Sequence, residues 1–564
     1  MKFSEFKYVR PNIEEIETEF KALLKEFNEA ENADLQNEII RKINKIRSKV
    51  ETAFALANVR YTINTSDKFY DKENNYIDEV SPRYSSLVNE FYRALISSRF
   101  KDELIKTWGQ HLFNTAEVSL KSFDDKIIEE LVEENKLSSR YTKLIASAKV
   151  KFRGKTMNLS QVGKFMRDSN RRTRSAASKA YYMFFAENLE TLDKIYDEMV
   201  HVRDRMAKKL GYKNYVELGY YRLGRVDYNA EMVANYRKQI KNDLVPLTQE
   251  LFKRQVKRIG IKKPHFYDYN LEFTSGNPTP KGDKDWMIEN AKKMYDELSS
   301  ETSTFFRFMC DTELLDLETK PNKASGGYCT HFSEYKAPFI FANFNGTSHD
   351  VEVLTHEVGH AFQVYSAQGY EVPEYSFPTL EACEIHSMSM EFFTWPWMHL
   401  FFKEDVDKFK YAHLTGALKF IPYGASVDEF QHYVYENPNI TPEERRKKWR
   451  EIEKTYQPHL SSYNNEFLEN GGFWMRQGHI FGSPFYYIDY TLAQVLAFEF
   501  FNEMNEDMEK AWNKYVKLCK LGGSMSFTNL LKESDLPLPF EDGTIKKIVE
   551  PIAKYLETID DSKL

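Results

Sequence analysis

Apolar residues spaced by three and four positions run through roughly the first 250 residues, and they constrain the fold more than any other feature of the chain. Ile13, Ile16, Phe20, Leu23, Leu24 and Phe27 form one stripe, and Leu35, Ile39, Ile43, Ile46 and Val50 form the next, with charges on the other faces. That period is helical, and stripes of this kind bury themselves against other helices. A mainly α architecture follows. No fixed-period repeat is visible and nothing in this region looks catalytic.

The chain's length of 564 residues is enough for a large core and for more than one domain. A formal charge of −7, spread along the chain, argues against a general nucleic-acid binder. Cys310, Cys329, Cys383 and Cys519 lie far apart without a CxxC pair, so reduced thiols are expected. The start, Met1 to Lys7, lacks the apolar run of a signal peptide, and the most apolar window, residues 392–402, is too short to span a bilayer. A cytoplasmic protein without a membrane partner is the expectation.

Chemistry concentrates in Thr355-His356-Glu357-Val358-Gly359-His360. On a helix, residues four apart share a face, so His356 and His360 would present two imidazoles to one point. Such a pair suits a zinc ion, with Glu357 placed to act as a base toward its water. Val351, Leu354, Val358, Phe362 and Tyr365 give the segment an apolar face suited to a buried helix. The bland alternative is a core helix whose histidines are merely hydrogen-bonded.

Elsewhere the pattern breaks in informative places. Residues 149–159 alternate around Gly154 and predict a small hairpin. The basic run from Arg167 to Arg174 predicts a solvated helix face. Pro264, Pro278 and Pro280 make a long loop of residues 260–285, and helical spacing resumes at Trp286. Residues 326–332 and 337–344 then read as two strands, the second leading into the His356 helix. Pro338 near its start suits an edge strand. An edge just upstream of a metal site can pair with an extended peptide, which makes Phe341, Ala342 and Asn343 candidate substrate-binding residues.

Two histidines leave a catalytic zinc short of its third protein ligand. Glu374, Glu381, Glu384, His386 and Glu391 are the downstream candidates. Glu381, Glu384 and Glu391 share one face of a helix whose other face, with Ala382, Ile385, Met388 and Phe392, is apolar. Acids at these positions could also orient the histidines. His349-Asp350, just ahead of the motif, is a plausible supporting pair.

His356-Glu357-Val358-Gly359-His360, with Glu384-Ile385-His386-Ser387-Met388 downstream, resembles the thimet-oligopeptidase family of zinc peptidases. The likeness is strongest to the oligoendopeptidase F branch, which includes the Pz-peptidases. Residues 337–345, Asp428-Glu429-Phe430-Gln431-His432 and the stretch from His479 to Tyr490 agree with it. The resemblance implies His356, His360 and Glu384 as ligands of one zinc ion per chain, and Glu357 as general base. His479, Tyr487 and Tyr490 fall on the family's oxyanion-stabilising segment, and Tyr486 beside them is a candidate substrate-binding residue. It further implies a mainly helical, two-lobed zincin-type fold, with a deep central channel and a small β-sheet near the active site. A division into an N-terminal helical lobe (1–190) and a catalytic region (191–564) is expected. The implied function is endopeptidase action on short peptides. A carboxypeptidase or dipeptidyl carboxypeptidase of related fold is the alternative, and it would need a cation for the substrate's terminal carboxylate.

Overall fold

The computed structural model describes residues 1–320, 323–324 and 326–564. Helices dominate, as the apolar spacing requires. The first two stripes become helices Ile13–Glu29 and Ala33–Ile63, with Phe20, Phe27, Ile40 and Ile43 fully buried. Together with Lys68–Ser97 and the two shorter helices that follow, they enclose a core of their own. Val372 and Tyr375, from the loop after the His356 helix, enter that core. The Tyr375 hydroxyl donates to the Trp108 carbonyl at 2.7 Å and accepts the Leu112 amide at 3.0 Å. N-terminal helices are thereby tied to the loops beside the motif.

The expected hairpin is present as β1 (Val150–Phe152) and β2 (Lys155–Met157). Its two-residue turn is Arg153-Gly154, at φ 51° and 74°, the left-handed pair that matches strand twist. The basic run departs from a solvated face. Arg172 is exposed, but Arg174 is buried and, with Arg171, holds the buried Asp268 at 2.9 and 2.7 Å. The run therefore pins the proline-rich loop, whose residues 266–270 form one short 3-10 turn. Helix resumes at Lys284, two residues before Trp286, because the Asp283 side chain caps it by accepting the Trp286 amide.

The sheet has three strands in the order β3 (Leu315–Glu318), β5 (Ala337–Phe344), β4 (Tyr328–Phe332). β5 is therefore central, parallel to β3 and antiparallel to β4, which corrects the expectation of an edge there. Pro338 is tolerated for a local reason. The Ile340 amide donates to the Leu314 carbonyl at 3.0 Å, so by alternation the Pro338 nitrogen faces the same side, before β3 begins to pair. Phe341 and Ala342 are fully buried, and the Asn343 amide is spent on the carbonyls of Ala324 and Gly326. β4 pairs with β5 up to Phe341, so the edge facing β4 is taken there, and beyond it the Asn343 side chain is tied to Ala324 and Gly326. Among the described strands of this sheet, β4 and β3 are the edges.

One helix packs on the sheet, and two more stack behind it in turn. Ser348–Ala367 carries the motif, and its predicted stripe is buried at Val351, Leu354, Val358 and Phe362. Asp350 accepts the amides of Asn345 and Gly346, which fixes the turn from β5 into this helix. Leu380–Phe393 packs against it, and Tyr487–Glu506 packs against Leu380–Phe393. The middle helix is buried on nearly every face, acids included. Gly359 permits the first of these contacts. A Cβ there would lie 2.7 Å from both the His386 carbonyl oxygen and the Ser387 Cα, so any larger residue would push the helices apart.

Candidate active site

Helix spacing brings His356 and His360 to one face, with ring centroids 5.0 Å apart. The close approach at Gly359 then delivers Glu384 from the neighbouring helix. Its Oε2 lies 3.2 Å from His356 Nε2 and 3.5 Å from His360 Nε2. A tetrahedral ion with ligands at about 2.0–2.1 Å has ligand–ligand edges of about 3.3–3.4 Å, so the two imidazoles and the carboxylate fit such an ion. All three donor atoms lie within 4.8 Å of one another. The imidazoles pull the Glu384 carboxyl far below its ordinary range, against the opposing effect of burial. Glu384 Oε1 accepts the Tyr486 hydroxyl at 3.0 Å, and Oε2 accepts the Ser387 hydroxyl at 3.0 Å.

Of the other acids considered, Glu374 is not part of this group. It pairs with Arg47 at 2.8 Å and accepts the Tyr92 hydroxyl, both from the N-terminal helices. Glu381 is buried near Arg225, which opposes the upward push of burial on its carboxyl. Glu391 does orient a histidine. It accepts His356 Nδ1–H at 2.8 Å, which leaves Nε2 as the free lone pair facing Glu384.

Behind Glu391 stands His413, from helix Val406–Glu436, which nothing in the spacing of the sequence singled out. Trp395 Nε1, a donor only, bonds His413 Nδ1 at 3.1 Å. The His413 proton is therefore on Nε2, and it is donated to Glu391 at 2.6 Å. A chain Trp395–His413–Glu391–His356 thus fixes one ligand's tautomer. Charge and hydrogen bonds from the two histidines hold the Glu391 carboxyl down to about 2, against the effect of burial. Replacing His413 by alanine is expected to weaken metal affinity about 10–100-fold, the usual cost of losing such support, as read by titration against a chelator of known affinity. The expected pair His349-Asp350 does not play this part. Asp350 serves the turn, and His349 Nδ1 lies 3.4 Å from Glu352.

Glu357 lies close enough to His356, His360 and Glu384 for their charges to act on it, and it reaches toward the start of β4. Its carboxylate is buried, Oε2 has no hydrogen-bond partner, and Oε1 lies 3.3 Å from where a Cβ on Gly327 would sit, just before β4. Burial raises its carboxyl above the ordinary value, with His356 and His360 pulling the other way.

Opposite Glu384 lies a cluster of four rings. His479 is 5.8, 5.0 and 5.7 Å from Tyr486, Tyr487 and Tyr490, centroid to centroid. Gln477 Nε2 donates to His479 Nδ1 at 2.7 Å while Gln477 Oε1 accepts the Tyr423 hydroxyl at 2.8 Å, so the imidazole proton sits on Nε2. Burial lowers the His479 pKa, which keeps the ring neutral. Of the three tyrosines, Tyr486 bonds Glu384 and Tyr490 packs on Tyr486 at 4.9 Å. Tyr487 packs on Phe420 and Tyr423. The segment is held by Phe485, which has a left-handed φ of 66°. The buried Arg225 donates to the Phe485 carbonyl and to Asp489, each at 2.6 Å. A bulky residue in that conformation persists only where its surroundings impose it. Arg225 was not legible as a site residue because its partners lie about 260 positions away.

The remaining histidines named from the sequence are core groups. His386 is fully buried, and His432 accepts or donates to Tyr220 at 3.0 Å. Burial depresses their pKa values to about 3 and about 4, and that of His331 to about 4.

Two imidazoles and a carboxylate converging from paired helices, beside a buried glutamate, make a candidate metal centre on a mainly helical body with a small sheet. Residues 3–123 match the Peptidase M3 N-terminal domain, and residues 164–284 and 286–550 match Peptidase family M3. The chain belongs to peptidase family M3. It is 54% identical to Pz peptidase A, solved with an inhibitor, with a TM-score of 0.96 over 100% of both chains. It is 22% identical to an oligoendopeptidase F homolog of Borreliella burgdorferi, over 89% of this chain and 87% of that protein. Oligoendopeptidase F of Enterococcus faecium, at 14% identity and a TM-score of 0.59, shares the fold. No helix among the described residues is long and apolar enough to cross a membrane.

Proposed function

We propose that this protein is a zinc-dependent endopeptidase that hydrolyses internal bonds of short oligopeptides, with His356, His360 and Glu384 as metal ligands and Glu357 as general base. The observation that carries it is the meeting of those three donors beside a buried carboxylate, Glu357, that has an oxygen to spare. When bound, zinc supplies a Lewis acid that acidifies water and polarises a carbonyl. Every other task falls to the chain. Glu357, raised by burial, accepts the water's proton and can return it to the leaving amine. His479 Nε2–H and the Tyr490 hydroxyl, with Tyr486 beside them, are oriented as donors toward developing negative charge on the substrate oxygen.

The peptide has an extended partner in β4 rather than β5, since β4 is an edge strand and its start faces Glu357. A channel between the helical region of residues 1–190 and the catalytic region of 191–564 explains a preference for short chains. In support, His349 of the motif helix, whose pKa the hydrogen bond to Glu352 raises, lies near enough to the Arg167 guanidinium for that charge to oppose the rise, so the two regions approach each other there. A cytoplasmic location fits peptides as substrates.

The test uses a peptide of about 10 residues blocked at both ends, next to a stable folded protein containing the same segment. Internal cleavage of the peptide alone is the expected result. Cleavage only of unblocked peptides, in fixed steps from the C-terminus, would replace this reading by the carboxypeptidase alternative. His479→Ala and Tyr490→Phe should each lower kcat by about 100-fold or more with little change in KM, because the donation strengthens only in the transition state. Steady-state kinetics on one peptide checks this.

A further inference from the structure

Arg476 stands out as a cation without a counter-charge. It is exposed to solvent, yet the segment before it, Phe473, Trp474 and Met475, is buried, as is the neighbouring Tyr423 ring. Its guanidinium lies 4.1 Å from the Phe473 centroid and 5.9 Å from that of Tyr423. Tyr181 and Tyr487 complete the surround, each with its phenol acted on by Arg476. Arg476 is thus a guanidinium that solvent reaches, held against a patch of buried and half-buried aromatic rings. Among the described residues no carboxylate comes within 4.0 Å of it, although nearly every other enclosed arginine in the molecule, such as Arg203, Arg225 and Arg237, has an acid partner.

Its position relates it to the site. Gln477, the next residue, bonds His479, and Tyr423 joins the cation's ring wall to Gln477. Tyr487 lies between Arg476 and His479. The guanidinium is thus one ring removed from the donors proposed for the oxyanion, along the wall that a bound peptide would follow. Its planar fork suits a carboxylate, and the aromatic faces restrict its orientation.

We infer that Arg476 is a substrate-binding residue that takes the free C-terminal carboxylate of a short peptide lying across the site. The inference rests on the peptidase reading above. An acidic side chain near the peptide's end presents the same chemistry, and the test separates the two sources. Such an anchor adds a reason, besides channel width, for a preference for short chains, because only in them does the terminus fall within reach of the scissile bond.

The experiment compares three peptides of one sequence: free acid, C-terminal amide, and amide with Glu at the last position. Binding is measured by calorimetry on zinc-loaded Glu357→Gln, with and without Arg476→Gln or Arg476→Lys, and turnover on the corresponding enzymes with Glu357 intact. The free acid is expected to bind about 10-fold or more tighter than the amide, and Arg476→Gln to remove that difference by raising KM with kcat nearly unchanged. Arg476→Lys, which keeps the charge but not the fork, should restore part of it. Tighter binding of the Glu-bearing amide alone would assign the subsite to acidic side chains and overturn the terminal-carboxylate assignment. Equal binding of acid and amide, with cleavage intact and Arg476→Gln without effect, would overturn the anchor and leave the peptidase reading standing. Failure of all three peptides to bind or be cut would overturn the peptidase reading itself.

Discussion

Glu357→Gln is expected to lower turnover of a short peptide by about 10²–10⁴-fold, the range that a general base supplies, while the purified protein keeps its metal. Glutamine preserves the shape of the side chain, and Glu357 is not among the three converging donors. Its Oε2 has no hydrogen-bond partner, so the substitution breaks no bond within the protein at that atom. The loss is therefore chemical rather than structural. Metal analysis and single-turnover rates on the same preparation check both halves. A variant that lost its metal, or kept most of its turnover, would take the proton-transfer role away from Glu357.

Removing Glu384 should do the opposite and empty the site. Glu384→Ala takes away the only carboxylate among the described residues that pairs with both imidazoles, and it leaves the Tyr486 and Ser387 hydroxyls without this acceptor. Metal affinity is expected to fall by more than the about 10–100-fold that losing an orienting group costs. Glu374→Ala, by contrast, should retain metal, because Glu374 serves Arg47 and Tyr92 at the N-terminal helices. Its cost is in stability instead, since Arg47 is buried and would be left with one acid fewer. Metal content and thermal unfolding of the two variants, measured side by side, separate the roles. Equal metal content in both would reject Glu384 as the third ligand.

Much of this was open to reading along the chain because it depends on local periodicity. Helical spacing identified the N-terminal stripes and the buried face of the motif helix, and the same spacing placed His356 and His360 together. The Arg153-Gly154 hairpin turn could likewise be read from alternation about one glycine. The choice of Glu384 among four acids and one histidine was different. Spacing along one helix could not rank them, since Glu381, Glu384 and Glu391 share a face, and only the resemblance to a peptidase family favoured one.

What the tertiary structure decided is which groups distant in the chain meet. Whether β5 is an edge depends on β3, some 20 residues earlier and joined by a loop, so Pro338 pointed to the wrong place for a sound local reason. His413, Arg225 and Arg476 reach the site from separate segments, and no pattern of apolar residues encodes such a meeting. The basic run at Arg171 and Arg174 looked solvated because a charge's partner, here Asp268, is invisible to periodicity. The sequence alone determined the helices, their buried faces and the two-histidine motif, because these follow from the repeat of one backbone conformation. Helix packing, set by close contacts such as that at Gly359, determined where Glu384 sits relative to the two histidines and what supports His356, because each depends on the distance between elements rather than on spacing within one.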